Sequence, residues 1–125
     1  FFEFNPKLLN FKQYATLNAF VLKKILTKYV IKNVKIRWPN DLLIDKKKVC
    51  GILQEIISIS NNSFLIIGIG INLIKNPKIK NYPTTNLYEL TDKRINKKNF
   101  ENNLKEAFEK NLSKMCKINY KVNGI

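Results

Sequence analysis

Histidine is absent from this 125-residue chain. That excludes Ser-His and Cys-His nucleophilic machinery and histidine-bound zinc within these residues. Cysteine is scarce: Cys50 and Cys116 form neither a CxxC pair nor a disulfide framework. This scarcity is compatible with a reducing cytoplasm, and Cys50, set in an apolar stretch, reads as a small core residue rather than a nucleophile. No run reaches the ~18 to 20 apolar residues that a membrane span needs. The opening Phe1-Phe2-Glu3-Phe4 lacks the basic region that begins a signal peptide. Acidic residues are also few, 9 against 23 basic ones. Any chemistry must therefore use carboxylates, lysine, amides and backbone groups.

The resulting charge of +14 admits two readings, a surface for nucleic acid or acidic partners and a coat of solvated lysines. Every basic residue except Arg37 and Arg94 is lysine, and the lysines are spread along the whole chain. Specific nucleic-acid readers favour arginine for its bidentate geometry, so the solvated coat is the better reading. Hydrophobic residues make up 45% of the chain, as in a globular domain. The first residue is not methionine, and the only methionine is Met115. A fragment of a longer protein is therefore expected, with Phe1 to Phe4 a strand cut in its middle.

Periodicity predicts an α+β domain. Asn10 is the expected N-cap of a helix from about Phe11 to Ile31, with Tyr14, Leu17, Val21, Ile25 and Tyr29 on its apolar face. Asn5-Pro6-Lys7 precedes it as a break. Strands follow at 34–38 and 42–44, then a long one at 48–59, a loop at 60–63, and another strand at 64–72. Short loops make these antiparallel neighbours. Thr85 is the expected cap of a short helix, and Asn96 of a final helix at about 97–114 with Phe100, Leu104, Phe108 and Leu112 as its stripe. The tail from Lys117 to Ile125 shows no clear period. The architecture expected is a mixed, largely antiparallel sheet with helices on one face.

Three stretches carry chemistry. In Phe64–Asn72, alternation puts Leu65, Ile67, Ile69 and Ile71 on one face and Gly68, Gly70 and Asn72 on the other. Two glycines at spacing two clear a shelf for a ligand, or mark a bulge or tight packing. At Trp38-Pro39-Asn40-Asp41, the Asx pair after proline is a turn, or supplies oxygens near magnesium. Trp38 fills the core or walls a flat ligand. Lys48 opens a strand and is expected on the face of Cys50 and Ile52, where its ammonium could neutralise a phosphate or carboxylate oxygen. Gly51 lies where a backbone needs to come close. Gln54 and Glu55 are expected to be structural or exposed.

Taken together, Trp38-Pro39-Asn40-Asp41-Leu42, Lys48-x-x-Gly51-Ile52-Leu53 and Gly68-x-Gly70-x-Asn72 resemble the catalytic domain of biotin protein ligases in order and approximate spacing. Pro83-Thr84-Thr85-Asn86-Leu87 resembles the family's short segment after the GxGxN strand. The resemblance implies the class II synthetase-like fold of biotin and lipoate ligases. It implies ATP-dependent activation of biotin to biotinyl-AMP, then transfer to a lysine of the biotin carboxyl carrier domain of a carboxylase. On it, Lys48 and Asp41 are catalytic, and Asp41 and Asn72 hold Mg2+. Trp38, Asn40, Lys48, Gly51, Ile52, Leu53, Gly68, Gly70 and Asn72 bind biotin and nucleotide. A homodimer is left open.

The family's upstream glycine- and arginine-rich loop, its first strands and its small C-terminal β-barrel have no counterpart here, so residues 1–125 are expected to be a partial catalytic domain with little activity alone. No helix-turn-helix DNA-binding domain is expected. Competing readings are a lipoate ligase of the same fold, a non-catalytic basic nucleic-acid module, and a gene remnant.

Overall fold

A computed structural model describes residues 2–4 and 9–112, without the side chains of Phe2 and Glu3. The expected break at 5–7, the expected helical residues 113–114, Cys116 and the tail lie outside the described residues. The order is β1 (Phe2–Glu3), α1 (Phe11–Leu26), β2 (Val34–Arg37), β3 (Asp41–Ile44), β4 (Lys47–Ile59), β5 (Asn62–Ile71), α2 (Leu87–Thr91) and α3 (Lys97–Leu112).

The five strands form one sheet in the order β1-β5-β4-β3-β2, and every pairing among them is antiparallel. Two hairpins turn on two residues each, Asp45-Lys46 and Ser60-Asn61, all four with positive φ, the backbone that matches the twist of flanking strands. β4 and β5 run in unbroken register from Cys50↔Ile71 to Ile59↔Asn62. Between β3 and β4 the register shifts. Leu42 pairs with Cys50 but Leu43 pairs with Lys48, so Val49 is an extra residue, a β-bulge.

One face of the sheet is closed by helices. Leu42, Ile44, Val49, Cys50, Ile52 and Leu65 are buried there with Tyr14, Leu22, Ile25 and Leu26 of α1. α1 begins with a capping box between Asn10 and Gln13, each side chain accepting the other's backbone N–H at 2.9 Å. It stops at Leu26, five residues before the expected Ile31, which is fully exposed. Thr27 Oγ1 turns back to the Lys24 carbonyl at 2.7 Å, and the β-branched pair Val30-Ile31 favours helix weakly. α3 packs on α1 through the predicted stripe of Phe100, Leu104, Phe108 and Leu112, and the Asn96 side chain accepts the Asn99 N–H at 3.0 Å. The cap of α2 is Asn86, which accepts the Glu89 N–H at 2.7 Å, rather than Thr85. Thr85 is one residue too early, its own N–H bonded to the Lys48 carbonyl at 2.9 Å.

Asn18 and Gln54 join the layers. Asn18 Nδ2 donates to Gln54 Oε1 at 2.6 Å, and Gln54 Nε2 donates to the Phe11 carbonyl at 2.9 Å. Gln54 is thus structural, and Glu55 is exposed. Among the described residues no helix is long and apolar enough to cross a membrane.

Candidate active site

The opposite face of the sheet is open. Asp41, Gly51 and Gly70 lie side by side across β3, β4 and β5, and Leu53 lies opposite Gly68. A Cβ at Gly70 would have nothing within 4 Å, and one at Gly68 would meet only ordinary contacts with Leu53. Leu53 itself is 63% exposed. The shelf expected from the alternation of Phe64–Asn72 is therefore present, and Gly51 extends it onto the neighbouring strand.

Lys48 lies on this shelf and not on the face of Cys50 and Ile52, where simple alternation put it. The extra residue Val49 shifts the parity of β4, so Lys48 returns to the side of Asp41 and Gly51 while Val49 and Cys50 both point into the core. Its ammonium is 3.1 Å from Asp41 Oδ1. A Cβ on Gly51 would stand 3.1 Å from both Cε and Nζ of Lys48, closer than most real contacts. Glycine at this position lets the lysine lie flat across β4 to reach the carboxylate.

Asp41 is held on its other oxygen as well. Arg37 Nη2 donates to Oδ2 at 2.9 Å, and the Tyr82 hydroxyl donates a short hydrogen bond to the same atom. The Tyr82 ring also lies 4.4 Å from the Arg37 guanidinium and 5.6 Å from the Lys48 ammonium. Two cations thus share one carboxylate. The cluster carries one surplus positive charge beside an uncovered floor, the electrostatic setting for an incoming anion.

The segment after β5 forms the side wall. Residues 83–85 run parallel to Lys48, whose N–H donates to the Pro83 carbonyl at 2.9 Å. Asn72 follows β5, its N–H on the Val49 carbonyl at 2.9 Å and its Nδ2 on the Thr85 carbonyl at 3.0 Å. Thr84 and Asn86 are tied through Asn76 at 2.7 and 2.6 Å. Lys48, Gly51, Gly70, Asn72, Pro77 and Thr84 line one cavity of about 440 Å³.

The sequence-predicted residues therefore divide. Asp41, Lys48, Gly51 and Gly70 come together, and Asn72 lines the same cavity. Gly68 and Leu53 continue the open face. Asn40 is exposed, and its carbonyl accepts the Ile52 N–H at 2.8 Å. Ile52 is buried on the helix side. Trp38, joined to Pro39 by a cis peptide and half exposed, meets Phe20 of α1 edge-on at 5.6 Å. Arg37 and Tyr82 join the cluster although neither was expected there. Arg37 alternates with Trp38 on a strand, and Tyr82 lies in a proline-flanked loop, so only their contacts reveal them. Burial pushes the Cys50 thiol up, only partly offset by Lys48, so it stays protonated at neutral pH.

Among the described residues no three His, Cys, Asp or Glu side chains group to hold a metal ion. A single carboxylate, Asp41, even with the Asn72 amide that lines the cavity, is not a cage for a bare cation. It does fit magnesium that arrives with most of its shell filled by phosphate and water.

Residues 3–72 match the model of the biotin/lipoate A/B protein ligase family. The chain is 35% identical over 54 residues to the bifunctional ligase/repressor BirA of Escherichia coli K12, covering 42% of this chain and 17% of that protein. Its structure is similar to the Aquifex aeolicus biotin protein ligase solved with biotin and ATP, with 30% identity, a TM-score of 0.71, and 90% of this chain and 48% of that one covered. The fold is shared with P. falciparum LipL1 in complex with lipoate, at 20% identity and a TM-score of 0.59 over 85% of this chain. The chain thus spans about half the length of the Aquifex ligase and less of the other two.

Proposed function

The chain belongs to the biotin/lipoate A/B protein ligase family, and we propose that the protein it represents activates biotin with ATP to biotinyl-AMP and passes the acyl group to a lysine of a carboxylase carrier domain. The observation that carries this reading is the Lys48–Asp41 pair, 3.1 Å apart over Gly51 at the edge of an open glycine floor. Acyl-adenylate formation joins a carboxylate to the α-phosphorus of ATP and expels pyrophosphate. Both partners are anions, so the site must lower their mutual repulsion and align them.

In this proposal Lys48 contacts the biotin carboxylate and the α-phosphate, and its charge offsets the negative charge that builds on the phosphoryl oxygens. The Gly51–Gly70 floor lets both reactants lie against backbone, with Leu53 and Gly68 as the apolar bed of the acyl chain. Asn40 and Asn72 serve the phosphates, and Trp38 shapes the rim. Magnesium, when bound with the nucleotide, supplies further positive charge at the phosphates, held by Asp41 and Asn72. The described sheet would be the central part of a catalytic domain, and full turnover would need residues beyond it.

The similarity to a 30%-identical ligase solved with biotin and ATP supports biotin over lipoate. The cysteine scarcity supports a reducing cytoplasm as the site of action. The test is incubation of the complete protein with MgATP, a carrier domain, and biotin or lipoate in separate reactions. Biotinylated carrier lysine is expected. Lipoylation without biotinylation would move the protein to the lipoate branch, and neither product would remove the ligase reading.

A further inference from the structure

Tyr82 makes more contacts with the charged cluster than its place in a loop suggests. Its hydroxyl bonds Asp41 Oδ2, and its ring lies 4.4 Å from the Arg37 guanidinium and 5.6 Å from the Lys48 ammonium. The side chain is half-buried, and its backbone is fixed on both sides. The Tyr82 N–H donates to the Ile79 carbonyl at 3.2 Å, and the next residue, Pro83, accepts from Lys48 N–H at 2.9 Å. The loop that presents the ring is therefore tied to the same residue whose ammonium the ring faces.

Without this ring, the Arg37 and Lys48 cations would lose the aromatic face that each approaches. Asp41 Oδ2 would keep Arg37 alone, and the flexible Lys48 side chain would have fewer geometries excluded. We infer that Tyr82 is a positioning residue: it splits the Asp41 carboxylate between Arg37 and Lys48, hydroxyl on Oδ2 and ring against the cations, and so aims the Lys48 ammonium across Gly51 into the cavity. The catalytic consequence rests on the acyl-adenylate reading above, whereas the placement of Lys48 does not.

Two variants in the complete protein separate the hydroxyl from the ring. Tyr82→Phe keeps the ring and is expected to lower kcat about tenfold, the usual order for a lost hydrogen bond to a charged group, with the KM values for biotin and ATP within about threefold. Tyr82→Leu also loses the ring and is expected to lower kcat about a hundredfold. Independently of activity, trace acetylation with acetic anhydride, read by mass spectrometry, should rise several-fold at Lys48 in Tyr82→Leu and much less in Tyr82→Phe. The exposed Lys46 and Lys47 serve as internal standards. Tyr82→Leu with kcat and Lys48 acetylation both within twofold of the parent would overturn the inference, as would a rise in KM for ATP alone. Increased Lys48 acetylation in a protein whose parent form also fails to use biotin would uphold the positioning role and sink the biotin reading instead.

Discussion

The two faces of this sheet are made from alternate residues of the same strands, yet they obey opposite rules. On the helix side Leu42, Cys50, Ile52 and Leu65 are sealed in the core, and their chemistry is only that of packing. On the open side the partners directly next to them are Asp41, Gly51 and Gly70, where side chains are either charged or missing. A strand normally forces this division by alternation alone. Here alternation is interrupted once, at Val49, and that interruption moves Lys48 out of the core's parity and onto the side of Asp41. The lesson is that the sealed face is tolerant of any well-fitting hydrocarbon, whereas the open face depends on where one bulge and one glycine let a lysine lie.

The sharpest way to break this contrast is to remove the ammonium. Lys48→Ala should lower biotin-dependent pyrophosphate release in the complete protein by about 10²- to 10³-fold, the scale found for loss of one preorganised electrostatic contact. Its thermal stability should shift little. The Lys48 side chain is 31% exposed, and ion pairs of this kind contribute at most about 1 kcal/mol. A variant with lost stability and retained turnover would place Lys48 among the structural residues.

The reciprocal experiment is on the sealed face. Leu42→Ala should cost about 3 kcal/mol in denaturant unfolding, since Leu42 is fully buried and its neighbours cannot all collapse into the gap. Leu53→Ala, on the open face and 63% exposed, should change stability by less than about 0.5 kcal/mol. Equal costs at the two leucines would mean that the open face is covered in solution.

Much of this division was legible beforehand. The strand at Phe64–Asn72 alternates cleanly, so the placement of Gly68, Gly70 and Asn72 opposite Leu65 followed from the period of two, and the helices followed from their stripes and asparagine caps. Lys48 departs from simple alternation for a definable reason. A bulge is a fact of pairing between β3 and β4, and nothing in Lys47-Lys48-Val49-Cys50 alone marks it, although two adjacent apolar residues after three lysines are compatible with it. No local pattern encodes the contact of Tyr82, because its partner Asp41 is 41 residues away, with β4 and β5 between them. α1 ends before its apolar spacing does: Tyr29 continues the spacing although the backbone has already left the helix.

Gly51 sits on the border of the contrast and gives a smaller effect. In Gly51→Ala the new methyl would stand 3.1 Å from the end of Lys48, which is flexible and can move aside. The φ of Gly51 is not positive, so the backbone accepts alanine, and the fold should survive. The ammonium, however, can no longer lie flat toward Asp41. About a tenfold fall in kcat with a midpoint change of only a few degrees is expected. Unchanged turnover would show that the lysine does not need this path.

Gly70→Ala should have the smallest effect on the fold and the clearest sign. Gly70 has negative φ, and an added Cβ would touch nothing within 4 Å, so no strain opposes the substitution. Alanine also restricts the unfolded chain more than glycine does, which favours the folded state by about 0.4–1 kcal/mol at a compatible site. A packing glycine would resist the change, while a floor glycine should gain stability and lose ligand. Chemical denaturation is therefore expected to show a slightly more stable protein, while calorimetric titration shows weaker binding of biotin or MgATP. The two measurements must move in opposite directions for the open face to be a ligand floor. A methyl that leaves binding intact would mean that nothing comes to rest against the backbone between Gly51 and Gly70.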